Sequence, residues 1–316
     1  MNTLCLNEKY STTRLLITEK PAINNKPEDK FETVLFLPEN NEKRGEGGLR
    51  TKGYYKKSYE DKPLISIVTV VFNGEKYLEQ TILSVIDQSY ENVEYIIIDG
   101  GSTDGTVEII KKYEDQIDYW VSEPDNGIYD AMNKSIKICL GEWVNFMNAG
   151  DYFFDTWTLA NVVNGSMGSK CGLIYGDTEM RYQTFSRRRK AASVNNIHQG
   201  MPFGHQSMFV RTKIHRGQEY NMKYTICADY NFVCSLYKKG IIFKQIDSVL
   251  SSCSVGGLSD VQEERRTDQI AEIAYKHFPK SAVKFFHRKN IIKNKIKVFF
   301  KKQLPPSMVE LIKRLK

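Results

Sequence analysis

Three polar residues in this 316-residue chain stand where an apolar run stops. Asn73 follows "LISIVTVVF" (64–72), Asp99 follows "VEYIII" (93–98), and Asp151 closes "EWVNFMNAGD" (142–151). Carboxylates and amides accept hydrogen bonds, and a carboxylate can also ligate a hard cation. One such residue at a strand end is equally well explained by a turn or a helix cap. Three at successive strand ends point to a shared polar crevice, because ligands of open parallel sheets bind beyond the carboxyl ends of the strands.

The elements that must position these residues can be read from the pattern. The run 64–72 is continuous and β-branched, as expected of a strand buried on both faces. Asn73-Gly74 breaks it, and Tyr77, Ile82, Val85 and Ile86 then recur at helical spacing. A second buried strand covers 93–99. "GGSTD" (100–104) is a turn, with Ser102 or Thr103 placed to cap a helix over 107–113. The order β-α-β-α signals a parallel, doubly wound sheet. It continues as a strand over 117–123, a helix over 128–140 and a strand over 142–151. "TWTLANVVN" (156–164) is helical. "GLIYGDTEM" (172–180) and "KIHRGQEY" (213–220) flank a hairpin-like region that contains a strand at 207–211. A helix over 228–240 ends at Gly240, and 241–254 reads as a late strand pair.

Charge is unevenly placed. The net +7 arises from about +10 over 284–316, where eleven Lys and Arg face one acid (Glu310), against about −3 in the rest. The basic balance therefore belongs to the tail, and a nucleic-acid-binding domain is not implied. In the tail, Phe285, Ile292, Ile296 and Phe299 share one helical face, with Lys289, Lys293, Lys297 and Lys301 elsewhere on the surface. A basic amphipathic helix suits an anionic membrane surface. The six cysteines lack C-x-x-C spacing, so free buried thiols are expected and zinc is not. No run reaches the roughly 20 apolar residues of a membrane span, and the N-terminus lacks a secretory pattern. A cytoplasmic protein, peripheral on the inner face of the cell membrane, is the expectation.

The segments at 65–106, 122–136 ("SEPDNGIYDAMNKSI") with 141–151, and 202–210 ("PFGHQSMFV") with 226–240 resemble the family-2 glycosyltransferases, which have the GT-A fold. The likeness covers roughly 64–259 and is similar to bacterial enzymes that build O-antigen, colanic-acid or capsule repeat units. It implies an α/β GT-A catalytic domain over 63–260, Rossmann-like, with a mostly parallel sheet flanked by helices. The nucleotide-sugar half would be 63–152 and the acceptor half 153–260. Residues 1–62 would form an N-terminal arm, partly ordered on its own, and 261–316 the basic helical tail.

The resemblance also implies roles. Phe72 and Asn73 would hold the nucleobase, and Asp99 would accept a hydrogen bond from a uracil imide N–H. The family has an acid pair there, whereas this chain has Asp99-Gly100. Either Asp99 does the work or base recognition shifts elsewhere. Gly127 and Asp130 would border the same pocket. Asn148, Ala149, Gly150 and Asp151 match a D-x-D-type motif in which only Asp151 remains an anionic ligand for Mn²⁺ or Mg²⁺. That cation would neutralise the nucleoside diphosphate leaving group. Asp229, at a helix start, would be the base of an inverting transfer; as a helix cap it would add about 1 kcal/mol. His205 and Gln206 would border donor sugar and acceptor. "SRRRK" (186–190) would meet an acceptor pyrophosphate or form a solvated charge run, and the loop 254–260 would close over the nucleotide. No Q-x-x-R-W signature occurs, which implies non-processive addition.

The expected reaction moves a hexose, glucose or galactose favoured, from a UDP-sugar to an undecaprenyl-diphosphate-linked saccharide. A GDP- or dTDP-sugar donor, or an inactive scaffold of the polysaccharide machinery, are the alternatives. The sequence gives no oligomeric state.

Overall fold

The computed structural model describes residues 3–23, 25, 32–167, 170–257 and 261–284. The amphipathic helix expected at 285–316 and the end of the loop 254–260 lie outside the described residues. Among the described residues, ten strands form one sheet: β1 (Gly45–Gly47), β2 (Ile65–Val71), β3 (Val93–Asp99), β4 (Tyr119–Ser122), β5 (Trp143–Phe146), β6 (Tyr152–Phe153), β7 (Leu173–Arg181), β8 (Ser186–Arg189), β9 (Met208–Arg211) and β10 (Phe243–Ser254). Their order is β1-β4-β3-β2-β5-β9-β7-β10-β6, with β8 paired to β7 off this path. The run β4-β3-β2-β5 is parallel, and β9 enters antiparallel to both β5 and β7.

Among the described residues, seven α-helices flank the sheet: α1 (Leu78–Ile86), α2 (Thr106–Lys112), α3 (Ile128–Ile136), α4 (Thr158–Val162), α5 (Thr212–Arg216), α6 (Ala228–Lys238) and α7 (Glu263–His277). Along β3, Val93, Tyr95 and Ile97 pack with Leu78, Ile82 and Ile110 of α1 and α2. Ile96 and Ile98 pack on the opposite face with Met132 of α3 and Phe232 of α6. This two-sided burial is why the sequence shows unbroken apolar runs in place of alternation. It is the α/β architecture, a mostly parallel run of strands flanked by helices, that the resemblance implies.

Three local expectations are corrected. The strand pair expected over 241–254 is one strand, β10, whose register against β7 shifts twice, between Gln245 and Val249 and between Val249 and Ser251. The bulged stretch between Gln245 and Val249, which contains Asp247 and Ser248, interrupts the ladder without ending the strand. The segment 213–220 contains a short helix, α5. Cys5 is exposed, while Cys139, Cys171, Cys227, Cys234 and Cys253 are buried thiols outside any disulfide.

The segment expected as an N-terminal arm, partly ordered on its own, contributes β1 to the sheet. β1 runs antiparallel to β4 as its edge strand. Its glycines allow this: a Cβ on Gly47 would lie 2.6 Å from Trp120 Nε1, and one on Gly48 (φ +105°) 2.7 Å from the Ile117 carbonyl. Two buried cations anchor the same segment. Arg50 pairs with Glu94 of β3 and donates to the Leu35 carbonyl at 3.0 Å. Glu94 also accepts from Ser66 and from the Leu140 N–H. Lys56 donates to the Arg14 carbonyl at 2.7 Å. Burial pushes its ammonium below the usual lysine range and the buried Asp118 carboxyl above the usual carboxylate range, each shift opposed by the charge of the other.

Removing one partner of a fully buried pair strands the other charge, which costs about 3–5 kcal/mol. Arg50→Ala is therefore expected to lower unfolding stability by that amount in urea titrations. Arg50→Met combined with Glu94→Gln should recover most of it. Equal stability of Arg50→Ala and wild type would show that the segment is not held by this pair.

Candidate active site

The crevice starts from a carboxylate that never reaches solvent. Asp99, the last residue of β3, is fully buried. Its oxygens accept from Ser102 Oγ, from the Ser102 N–H at 3.0 Å and from Ser122 Oγ at 2.6 Å. The Ser102 hydroxyl oxygen in turn accepts from the Asn73 N–H at 2.7 Å. Asn73 adopts φ +50°, a left-handed conformation that Asn tolerates better than most residues, and its Oδ1 accepts from the Thr103 N–H at 2.9 Å. The Gly74 N–H donates to Thr106 Oγ1 at 2.8 Å. The loops after β2 and β3 are thus stitched together by side chain to backbone bonds. The acid expected to touch a base organises the turn from below, and Ser102, expected as a helix cap, is tied to it. The cap position of α2 falls to Gly105, and Asp104 just before it accepts from the Thr106 N–H at 3.1 Å.

Beside this pair of loops runs the segment 148–151. Ala149 donates to the Val70 carbonyl at 3.3 Å, and Gly150 turns at φ +95°. Thr81 of α1 braces the turn, accepting from the Gly150 N–H at 3.0 Å and donating to the Asp151 carbonyl at 2.8 Å. The Asp151 carboxylate accepts from Gln206 Nε2 at 2.6 Å and from the Ser254 N–H at 3.2 Å. Burial pushes its carboxyl up, opposed by His205, Gln206, Ser254 and Arg181. Arg181, at the end of β7, donates to the Gly150 carbonyl at 2.7 Å and to Ser254 Oγ at 2.8 Å, with its guanidinium 3.5 Å from the Tyr152 ring centre.

His205 and Gln206 form a short helical turn before β9. Buried Asn145 of β5 fixes that turn, donating to the carbonyls of Gln206 (2.9 Å) and Met208 (2.8 Å). His205 Nε2 lies 3.0 Å from Asn148 Nδ2, and its Nδ1 lies 3.7 Å from Asp229 Oδ2. Asp229 sits in the first turn of α6, where the helix N-terminus favours an anion; Cys227 occupies the cap position. The Tyr129 hydroxyl of α3 lies 3.1 Å from Asp229 Oδ1 and 2.8 Å from the Ile226 carbonyl. Asp229 and His205 both remain partly exposed. A partly exposed carboxylate beside an imidazole, held by a buried phenol, is suited to taking a proton from a bound hydroxyl.

The structure therefore brings Asn148, Ala149, Gly150, Asp151, His205, Gln206 and Asp229 into one crevice, with Phe72 and Asn73 on its rim. Phe72 is 63% exposed, unusual for an aromatic residue beside a buried strand. Asp130 acts locally, its Oδ2 accepting from the Asn126 N–H at 2.9 Å and closing the start of α3, where Gly127 adopts φ +106°. Within "SRRRK", β8 pairs with β7, and Arg188 is bound to Asp177 and, at 2.6 Å, to Asp247. Sequence reasoning missed Thr81, Tyr129, Asn145 and Arg181. Thr81, Tyr129 and Asn145 lie in the segments that carry the resemblance but within helices or strands, away from the strand-end positions that mark a crevice, and Arg181 closes β7 with no motif around it.

A divalent cation fits this chemistry only as a shared ligand. Among the described residues no group of three or more His, Cys, Asp or Glu side chains could hold a metal. Asp151 supplies one carboxylate, and the buried Asn148 Oδ1 has no hydrogen-bond partner. Two hard oxygen donors suit Mg²⁺ or Mn²⁺, which draws its remaining ligands from phosphates and water.

Residues 66–243, more than half of the chain, match glycosyl transferase family 2. A PGL/p-HBAD biosynthesis glycosyltransferase of Mycobacterium bovis is 28% identical over 206 residues, spanning 63% of this chain and 80% of that protein. An uncharacterized glycosyltransferase of Mycobacterium tuberculosis is 38% identical over 107 residues, 34% of this chain and 41% of that one. Among solved structures, S. aureus TarS 1–349 in complex with UDP aligns with TM-score 0.55 at 15% identity, over 71% of this chain and 70% of that one. The mannosyltransferase PcManGT from Pyrobaculum calidifontis, in complex with GDP-Man and Mn²⁺, aligns with TM-score 0.57 at 17% identity, over 73% and 69%. The chain belongs to glycosyl transferase family 2 and is a glycosyltransferase with the GT-A fold.

Proposed function

We propose that this glycosyltransferase moves a hexose, glucose or galactose, from a UDP-sugar to a saccharide carried on undecaprenyl diphosphate. The transfer inverts the anomeric centre and adds one sugar to a bacterial surface polysaccharide unit. The observation that carries the reading is the convergence of Asp229, His205, Asn148 and Asp151 from three separate segments. Asp229 takes the proton of the acceptor hydroxyl as that oxygen bonds to the anomeric carbon. The bond from that carbon to the diphosphate breaks, and the nucleoside diphosphate leaves. Asp151 and Asn148 would hold Mn²⁺ or Mg²⁺, which offsets the charge developing on the leaving group. His205 positions Asp229 and Asn148 relative to one another. The UDP-bound TarS structure favours the uridine donor, and the GDP-Man complex of PcManGT makes a GDP-sugar the second reading.

Asp229→Asn preserves shape but cannot accept the proton. Turnover in a donor panel read by mass spectrometry should fall by about 10²–10⁴, while UDP affinity stays within about twofold of wild type. Near-wild-type turnover would remove the base assignment, and absence of donor turnover in the wild type would favour a scaffold role.

Calorimetry with Mn²⁺ and with chelator tests the second assignment. UDP should bind more tightly with the cation, and Asp151→Ala should erase the difference. Equal affinity in both conditions would argue that positive side chains alone neutralise the diphosphate.

Membrane association remains part of the proposal through the tail's charge. Among the described residues no helix is long and apolar enough to cross a membrane. Val283 is fully buried, so a shortened chain should end at Lys284. The full chain is expected to co-sediment with anionic vesicles, less so as salt rises, and the shortened chain to remain in solution. Equal sedimentation would place the contact elsewhere.

A further inference from the structure

The loop after β4 brings a carboxylate to a place where β3 offers no side chain. Glu123 continues the β4 pairing by donating its N–H to the Asp99 carbonyl at 3.0 Å, so the residues after it run beside 99–101. A Cβ on Gly100 would lie 2.5 Å from Asp125 Oδ2 and 3.1 Å from its Cγ. The Asp125 carboxylate thus fills the space in which a side chain at position 100 would stand. Its Oδ1 accepts from the Gly127 N–H at 2.7 Å, while Oδ2 accepts from no described residue. The other acid of this loop is engaged: Glu123 is buried, accepts from Asn40 at 2.6 Å and pairs with Lys134 at 2.8 Å.

Gly100 also faces β2. Its N–H donates to the Val71 carbonyl at 2.9 Å, which sets it beside Phe72, the exposed ring on the rim. A vacant carboxylate oxygen close to an exposed aromatic face suits a flat heterocycle whose edge carries an N–H donor. Asp99 cannot serve, because its oxygens are committed inside the protein.

We propose that Asp125 is the specificity-determining residue for the nucleobase, its Oδ2 accepting from the imide N–H of a pyrimidine-dione stacked on Phe72. The assignment rests on the uridine-donor reading above. Uracil and thymine present the N–H; cytosine presents a lone pair at the same ring position, which the carboxylate repels. Burial pushes the Asp125 carboxyl up, a cost that a donor on the ligand would offset.

Calorimetry with UDP, CDP and GDP on the full chain tests this. Wild type should prefer UDP to CDP by at least about tenfold, since a hydrogen bond to a charged group is worth roughly that or more. Asp125→Asn keeps the acceptor for the Gly127 N–H but offers an amide to the base, so the UDP/CDP ratio should collapse to within about threefold. Asp125→Ala should weaken UDP by about ten- to hundredfold. Adding Gly100→Asp to Asp125→Ala returns a carboxylate to the vacated space and should restore UDP preference. Gly100→Ala alone should weaken UDP by displacing Asp125. A preserved UDP/CDP ratio in Asp125→Asn overturns the Asp125 assignment and leaves the donor reading standing. A wild type that binds GDP or CDP better than UDP overturns both.

Discussion

The carboxylate of Asp99 is the point from which the crevice is built. A buried anion without partners costs several kcal/mol, so it must be saturated by donors. Here Ser102 and Ser122 supply them, and Ser102 passes the constraint on by accepting from the Asn73 backbone. One charge thereby ties the ends of β2, β3 and β4 into a single rim. Asn73 is held left-handed, and Phe72 is left projecting into solvent. Without that anchor, three independent loops would each be free to drift, and a site whose groups must be positioned within a fraction of an ångström could not be maintained.

The same rim is locked a second way, by pairing glycines with carboxylates across loops. Glu75, from the loop after β2, lies where a Cβ on Gly105 would be 2.6 Å from its Oε1, and its Oε2 accepts from the Gly105 N–H at 3.1 Å. Asp125 does the equivalent over Gly100. In both cases an acid from one loop occupies the side-chain space of a glycine in another. These glycines are needed for close approach, since neither shows a left-handed φ. Gly150 differs: its φ of +95° is the reason for its identity, and Tyr77 Cβ stays 3.6 Å from its absent side chain.

Much of the fold was legible because burial on both faces writes itself into composition. β2 and β3 appear as unbroken β-branched runs, and the helices between them as 3.6-residue spacing. The first 62 residues were not legible, for a specific reason. Their anchors are a buried Arg50–Glu94 pair and a glycine strand lying against Trp120, and partners so distant in sequence leave no local periodicity. A polar, glycine-rich composition then resembles a solvated arm. β10 failed differently. Its bulge places Asp247 and Ser248 mid-strand, and these residue types also build turns.

For the site, position was easier to read than role. Asp151, Asp229, His205 and Gln206 come from segments more than 50 residues apart at the extremes, yet they share one crevice. Asp99 stands at the expected strand end but faces inward, because a strand-end carboxylate looks the same in sequence whichever way it points. What decides is the neighbour's hydroxyl: Ser102 and Ser122 turn Asp99 into a buried acceptor. Asp130 shows the same ambiguity, resolved by the Asn126 N–H. A carboxylate free to meet a ligand is therefore one whose own loop leaves an oxygen unclaimed. By that criterion Asp125, with Oδ2 unclaimed and set over Gly100, separates from Asp99, both of whose oxygens accept, and from Glu123, held by Asn40 and Lys134; Asp130 has only Oδ2 claimed but stands in the first turn of α3, away from Gly100.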